Sequence, residues 1–288
     1  MDIWIGLLAV AVALLGSFRQ AYVKKLTEGH DVLALTYLIM AYATILIVPF
    51  FAYSLHNMEG FPAIGAIAFG LLSGIFGIGK TLSAIKALEQ TDLSIADPFL
   101  KLSPLIVFIG ELMVLKLALS SYILLGVLMT VLGSFVVAAN SGSLIGILKN
   151  PKNKGVKFAI LATLFTSAST LSIKFASLSI DPYFLTGLWY ISGLLSIAVY
   201  LMFKGDIPSV SDHWDRRYPF VGFYSAGLGI MTIYLFSVAP ATIISALTQV
   251  SVLPSVIIGG KFFSEEDVFR KLIGALLITL GTGILILL

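Results

Sequence analysis

Ten runs of mostly apolar residues divide the chain, at about 3–25, 32–55, 61–85, 93–115, 120–140, 156–178, 183–203, 219–238, 241–263 and 268–288, with short polar breaks between them. A helix needs roughly 20 apolar residues to cross the hydrocarbon core, whereas a barrel strand needs ~10 residues of alternating polarity. These runs are continuously apolar and of the longer kind. The expected fold is therefore an all-α integral membrane bundle of ten transmembrane helices. Composition agrees: of 288 residues 58% are hydrophobic and 11% charged, and mean hydropathy is +1.02. A soluble domain carries about 25% charged residues, so this chain cannot both fill a core and cover it with charge. Soluble, disordered and nucleic-acid-binding classes are thereby excluded. The lipid bilayer is the expected solvent of a multi-pass protein of the cell membrane.

The net charge of +3 is too small to imply an acidic polymer as partner, and no nucleic acid is expected. The absence of cysteine removes disulfides, thiolate metal sites and a cysteine nucleophile. His30, His56 and His213 all lie in polar breaks, so no catalytic residue, metal site or cofactor is expected. The first run is preceded by Asp2 rather than a basic leader, and no small-residue cleavage site follows it. It reads as a retained helix rather than a signal peptide.

The sequence also matches itself. A shift of 150 pairs Ser17 with Ser167, Lys24 with Lys174, Leu35-Thr36 with Leu185-Thr186, Ala96 with Ala246 and Pro104 with Pro254. A shift of 148 then pairs Gly126 with Gly274, Leu128 with Leu276 and Leu132-Gly133 with Leu280-Gly281. Matches of Leu, Ala and Gly come easily in such a composition, but lysine and proline matches at one offset do not. The expected organisation is a duplication, 1–148 and 149–288, with five spans in each half. An odd number of spans forces the halves into opposite orientation, the inverted-repeat architecture of many secondary transporters.

Each half closes on Pro, an apolar run, a charged turn and a Gly-punctuated helix. In the first half this is Ser103-Pro104 through Lys116 to Leu125-Gly126 and Leu132-Gly133. In the second it is Leu253-Pro254 through Glu265-Glu266 to Ile273-Gly274 and Leu280-Gly281. The pattern resembles the EamA-type repeat of the drug/metabolite transporter superfamily, over nearly the whole chain. The resemblance implies a ten-helix carrier of small metabolites such as amino acids, sugars or nucleotide sugars, with a cavity between the halves. One position departs from it: the acidic residue usual after the first Pro run is Lys116 here, which is given no site role.

Gly74-Ile75-Phe76-Gly77-Ile78-Gly79-Lys80-Thr81 satisfies the G-x-x-x-x-G-K-[ST] expression. A phosphate loop needs a strand before it and backbone N–H groups free to cradle phosphate. This segment lies inside the third apolar run, where unpaired backbone is expensive. Its glycines are expected to allow close helix packing, and no nucleotide is expected to bind.

An ionisable side chain at bilayer depth costs about 2.5–3.5 kcal/mol on insertion scales and marks a candidate functional position. Arg19, Lys80, Asp97, Lys101 and Glu111 qualify. In the fourth run Asp97, Lys101, Pro104, Phe108 and Glu111 follow a 4-3-4-3 spacing, which puts them on one helix face, as lining a cavity requires. Runs one and three end on the side where run four begins. Arg19, Lys80 and Asp97 thus share one half of the bilayer, with Lys101 deeper. Three positive charges against one negative suit an anionic or carboxylate-bearing substrate. The plainer alternative for Arg19, Lys80 and Glu111 is snorkelling to an interface. The second half carries hydroxyls, which usually bond their own helix or join helices, together with Gln249. Trp189 and Tyr190 fall mid-span, as ligand contacts or as packing. The candidate substrate-binding set is thus Arg19, Lys80, Asp97, Lys101, Glu111, Trp189, Tyr190 and Gln249.

The expected function is secondary active transport of a small-molecule metabolite (an amino acid, organic anion or related solute) by alternating access. A coupling proton or a counter-substrate is the expected second partner, and the assembly a monomer or homodimer. The alternatives are a channel or non-transporting membrane scaffold, and a membrane-embedded enzyme. An enzyme fits least, because Asp97 and Glu111 are 14 residues apart, about 21 Å along a helix, too far for shared acid/base work. Thirteen Lys and Arg follow odd-numbered runs, against only Lys116 and Lys174 on the other side. The positive-inside rule then puts both termini outside the cytoplasm, whereas the resembled superfamily usually keeps them inside.

Overall fold

The computed structural model describes residues 2–27, 31–90, 96, 99–114, 120–138, 154–205, 216–254 and 268–287. Among them are ten α-helices, one 3-10 helix (Thr248–Ser251) and no strand: α1 Ile3–Thr27, α2 Val32–His56, α3 Ile64–Gln90, α4 Ser103–Val114, α5 Ser121–Ala138, α6 Lys154–Ser177, α7 Pro182–Lys204, α8 Arg217–Val238, α9 Ala241–Leu247 and α10 Val268–Leu287. Six of these (α1, α2, α3, α6, α7 and α8) are long and apolar enough to cross a bilayer, while α4, α5, α9 and α10 are shorter apolar helices. Side chains such as Phe203 (90% exposed), Ile64 (87%) and Met113 (74%) project fully outward. Many large apolar side chains turned outward together suit a lipid surround.

The fourth and ninth runs differ from continuous helices. The fourth is helical at Phe99–Leu100, breaks in a turn at Lys101–Leu102 and resumes as α4 at Ser103. Pro104 takes the second position of α4, where its missing N–H has no intrahelical acceptor to lose. The proline therefore sits at the start of the helical segment that follows the turn. Lys101 stands outside the helix, so the expected single face from Asp97 to Glu111 is not one continuous helical face. The ninth run is α-helical to Leu247 and tightens into a 3-10 helix over Thr248–Ser251. The shift of 150 superposes positions 101 and 251, so the two irregularities fall at equivalent places.

The residues form two compact units. The first comprises Met1–Ser17, Gly79–Leu171 and Ala239–Leu288. In it α5 and α10 lie antiparallel with their backbones in contact at two glycine pairs. A Cβ on Gly133 would come within 2.6 Å of the Gly274 carbonyl oxygen, and one on Gly281 within 2.7 Å of the Gly126 carbonyl oxygen. Only hydrogen fits there, which is how small residues bring membrane helices together. α6 runs beside the fourth segment, with Thr163 Oγ1 donating to Phe99 O (2.8 Å) and Ser167 Oγ to Ser103 O (3.3 Å).

The second unit comprises Phe18–Ile78 and Ser172–Val238. Here α2 and α7 pack antiparallel: Phe51 stacks on Phe184 (4.6 Å between ring centres), and Met40 reaches Gly193. α8 crosses α2 where Gly222 meets Tyr42 and Ala43. Both α2 and α7 start on an aspartate. Asp31 accepts from the Leu33 N–H (3.1 Å), and Asp181 accepts from Tyr183 N–H (2.9 Å) and Phe184 N–H (3.2 Å). Such caps satisfy the orphan donors of a first turn. The two aspartates are 150 residues apart, a repeat match with a physical role in each copy.

Candidate substrate-binding site

In the second unit one cluster joins helices from both halves of the sequence. Arg19 lies eight residues before the end of α1, and Ser225 eight residues after the start of α8. Each is thus about 12 Å from its helix end. Arg19 Nε donates to Ser225 Oγ (2.5 Å), and that hydroxyl donates to its own helix at Val221 O (2.6 Å). Tyr190, buried on α7, donates its hydroxyl proton to Ser225 O (2.7 Å). Gly229 makes room for it, since a Cβ there would stand 2.6 Å from the Tyr190 hydroxyl oxygen. Trp189 meets Tyr190 edge-on (4.8 Å) and lies against Gly77. Tyr190 and Tyr224 are the titratable neighbours of Arg19, and among the described residues no carboxylate pairs with it. A chain of rings runs alongside: Tyr22 against Phe220 (6.2 Å) and Phe220 against Tyr224 (6.4 Å).

The first unit treats its buried charge differently. Glu111 is wholly buried; its Oε1 accepts from Ala241 N–H (2.7 Å) and its Oε2 from Thr242 N–H (2.8 Å). The residue preceding α9 is Pro240, whose side chain makes no capping bond. The first N–H groups of any helix lack intrahelical acceptors. A carboxylate from α4 supplies them here, at the positive end of the helix dipole. Farther along, Gln249 Nε2 donates to the Lys101 carbonyl (3.4 Å), and Ser134 Oγ donates to Gln249 Oε1 (3.3 Å). Glu111 near the end of α4 thus meets the start of α9, and Lys101 before α4 meets the end of α9. The two irregular segments run antiparallel.

Of the eight residues singled out by sequence, the structure joins Arg19, Tyr190 and Trp189 in one unit and Lys101 with Gln249 in the other. Glu111 stands on the α9 cap. Lys80 is exposed on α3, and Asp97 lies outside the described residues. α3 runs unbroken from Ile64 to Gln90, so the N–H groups of Gly74–Thr81 lie within a helix. Gly74 abuts Ser192 and the Trp189 carbonyl, and Gly70 abuts Leu188: the glycines pack α3 on α7. Two polar residues escaped the sequence reading. Ser225 sits 206 residues from the arginine that it holds. Lys174, counted there as an interfacial charge, is buried in α6 and donates Nζ to Phe236 O (2.9 Å) near the end of α8. Its match with Lys24 at the repeat offset was the available signal. Among the described residues no group of three His, Asp or Glu side chains is placed to hold a metal ion.

The sequence profile of the EamA-like transporter family matches this chain twice, over residues 3–139 and 153–287. The chain belongs to the EamA-like transporter family. It is accordingly a multi-pass integral membrane protein built of two family repeats, in a family of transporters rather than enzymes. Comparison with curated proteins finds no match. A solved structure, described as a crystal structure of a protein, is similar over 97% of each chain with a TM-score of 0.67 at 16% identity. At that identity the likeness shows a shared fold.

Proposed function

We propose that this EamA-like protein is a secondary active transporter that moves a small metabolite across the membrane by alternating access. In this reading ten transmembrane helices form two inverted five-helix repeats, 1–148 and 149–288. The supporting observation is the antiparallel pairing, inside one unit, of the fourth segment with α9 and of α5 with α10. Equivalent helices of two repeats run antiparallel when the repeats are inverted, and the irregular backbone at 101–102 and 248–251 falls where both pairs of segments meet. Broken helices at a repeat junction are where inverted-repeat carriers bind their substrates. Candidate binding residues are Arg19, Trp189 and Tyr190, with Lys101, Gln249, Lys80, Asp97 and Glu111. The driving partner is a proton or a counter-substrate, and the assembly a monomer or homodimer.

The test is counterflow in liposomes reconstituted with the purified protein. A carrier accumulates labelled solute when the same solute is preloaded inside. Flux that neither saturates nor responds to internal solute would identify a channel, and conversion of solute to product an enzyme.

A further inference from the structure

We infer that Arg19 is a carboxylate anchor, whose two η nitrogens bind the carboxylate of a small monocarboxylate with an apolar body. The inference rests on the carrier reading and adds the substrate class to it. Ser225 fixes the guanidinium first. Its hydroxyl hydrogen is committed to Val221 O, so its oxygen accepts from Arg19 Nε and orients the guanidinium plane. Nη1 and Nη2 then form a fork with no hydrogen bond to the described residues. A guanidinium fork matches the two oxygens of a carboxylate.

Charge supports the same ligand. A cation about 12 Å from a helix end needs an anion or water, and no carboxylate among the described residues answers it. Its neighbours Tyr190 and Tyr224 are phenols, not carboxylates. The other buried cation described in this unit, Lys174, is bonded at Phe236, 11 residues along α8 from Ser225, or ~16 Å. One guanidinium fork pairs with one carboxylate, which suits a monocarboxylate.

The surroundings set the rest of the molecule. Tyr190 has already given its proton to Ser225 O and has no donor for a substrate. Tyr224 beside Arg19 and Trp189 against Tyr190 contribute ring surface, which favours an apolar body. The shift of 150 aligns Ser169 with Arg19 in sequence, so the second repeat carries no copy of this anchor.

The experiment measures thermal unfolding of the full chain in detergent with phenylacetate and 4-methylpentanoate, their primary amides, succinate and inorganic phosphate. The two monocarboxylates are expected to raise Tm by several degrees, and the amides, succinate and phosphate at equal concentration are not. Arg19→Gln abolishes the rise, and Arg19→Lys, which keeps the charge but loses the fork, weakens binding at least tenfold. Should Arg19→Gln fail to fold, Arg19→Lys and Ser225→Ala carry the comparison, each with a Tm rise smaller than that of the wild type. The inference is overturned if neither monocarboxylate stabilises the wild type, if the amides or phosphate do so equally, or if the folded variants respond like the wild type. Counterflow separates the two levels. Binding of phenylacetate without counterflow of any solute defeats the carrier reading and leaves the anchor standing. Counterflow of a neutral solute, undiminished in Arg19→Gln, defeats the anchor and leaves the carrier.

Discussion

Glu111 and Arg19 are both ionisable residues inside apolar helices, and each reaches across to the other half of the sequence, yet they are used in opposite ways. Both oxygens of Glu111 are engaged by backbone N–H groups at the start of α9, and the side chain is sealed from its surroundings. Arg19 is held at one nitrogen by a serine, with its remaining donors directed elsewhere. Both charges lie within apolar helices; what differs is the count of their satisfied hydrogen-bonding atoms. A carboxylate that completes a helix end is part of the fold. On the carboxylate-anchor proposal, a guanidinium held at one corner is a binding group.

Removal of each charge tests this contrast, and the effects on stability should fall in order. Glu111→Leu leaves two buried N–H groups without acceptors, at about 1–3 kcal/mol each. Purified protein should unfold many degrees lower, and an unchanged Tm would erase the distinction. Glu111→Gln keeps one accepting oxygen and should lose about half as much, read in the same melting experiment. Asp181→Ala removes an exposed cap that holds two backbone N–H groups and the Ser54 hydroxyl. A lost cap costs about 1 kcal/mol. Asp31→Ala, which holds a single described N–H, should cost less, and the pair of melting curves gives the difference. Arg19→Gln should change stability least, by under about 1 kcal/mol, because glutamine can still donate to Ser225. Its counterflow of carboxylates should nevertheless disappear. Loss of folding instead would place Arg19 with Glu111 as a structural charge.

Much of the architecture was legible in the sequence because lipid leaves few alternatives: every long apolar run must satisfy its backbone internally, and each of the ten contains a helix. The fourth and ninth runs were read as continuous because hydropathy is blind to backbone geometry. Pro104 was the visible warning, since proline belongs at the start of a helix. The candidate site was partly legible. Buried charges announce themselves by their cost, so Arg19 and Glu111 stood out, but what they bind did not. Ser225 is one serine among many on apolar helices, and its value comes from standing at the same depth as Arg19. Glu111 could not be seen as a cap, because the helix it completes begins 130 residues later, after a proline that offers no cap of its own. Asp31 and Asp181 were legible and overlooked: an aspartate just before an apolar run is a helix start signal, and these two stand at the repeat offset.

The glycine contacts between α5 and α10 have a consequence for how the chain can vary. Gly126 meets Gly281 and Gly133 meets Gly274, and the shift of 148 exchanges these two contacts. In an assembly of two identical copies of one repeat, any substitution at such a position would occur twice across the same interface, and any polar group installed near the axis would face its own duplicate. A fused chain is free of that constraint. It can hold an arginine at position 19 and a serine at the matching position 169, so that a charge introduced in one repeat need not be repeated in the other.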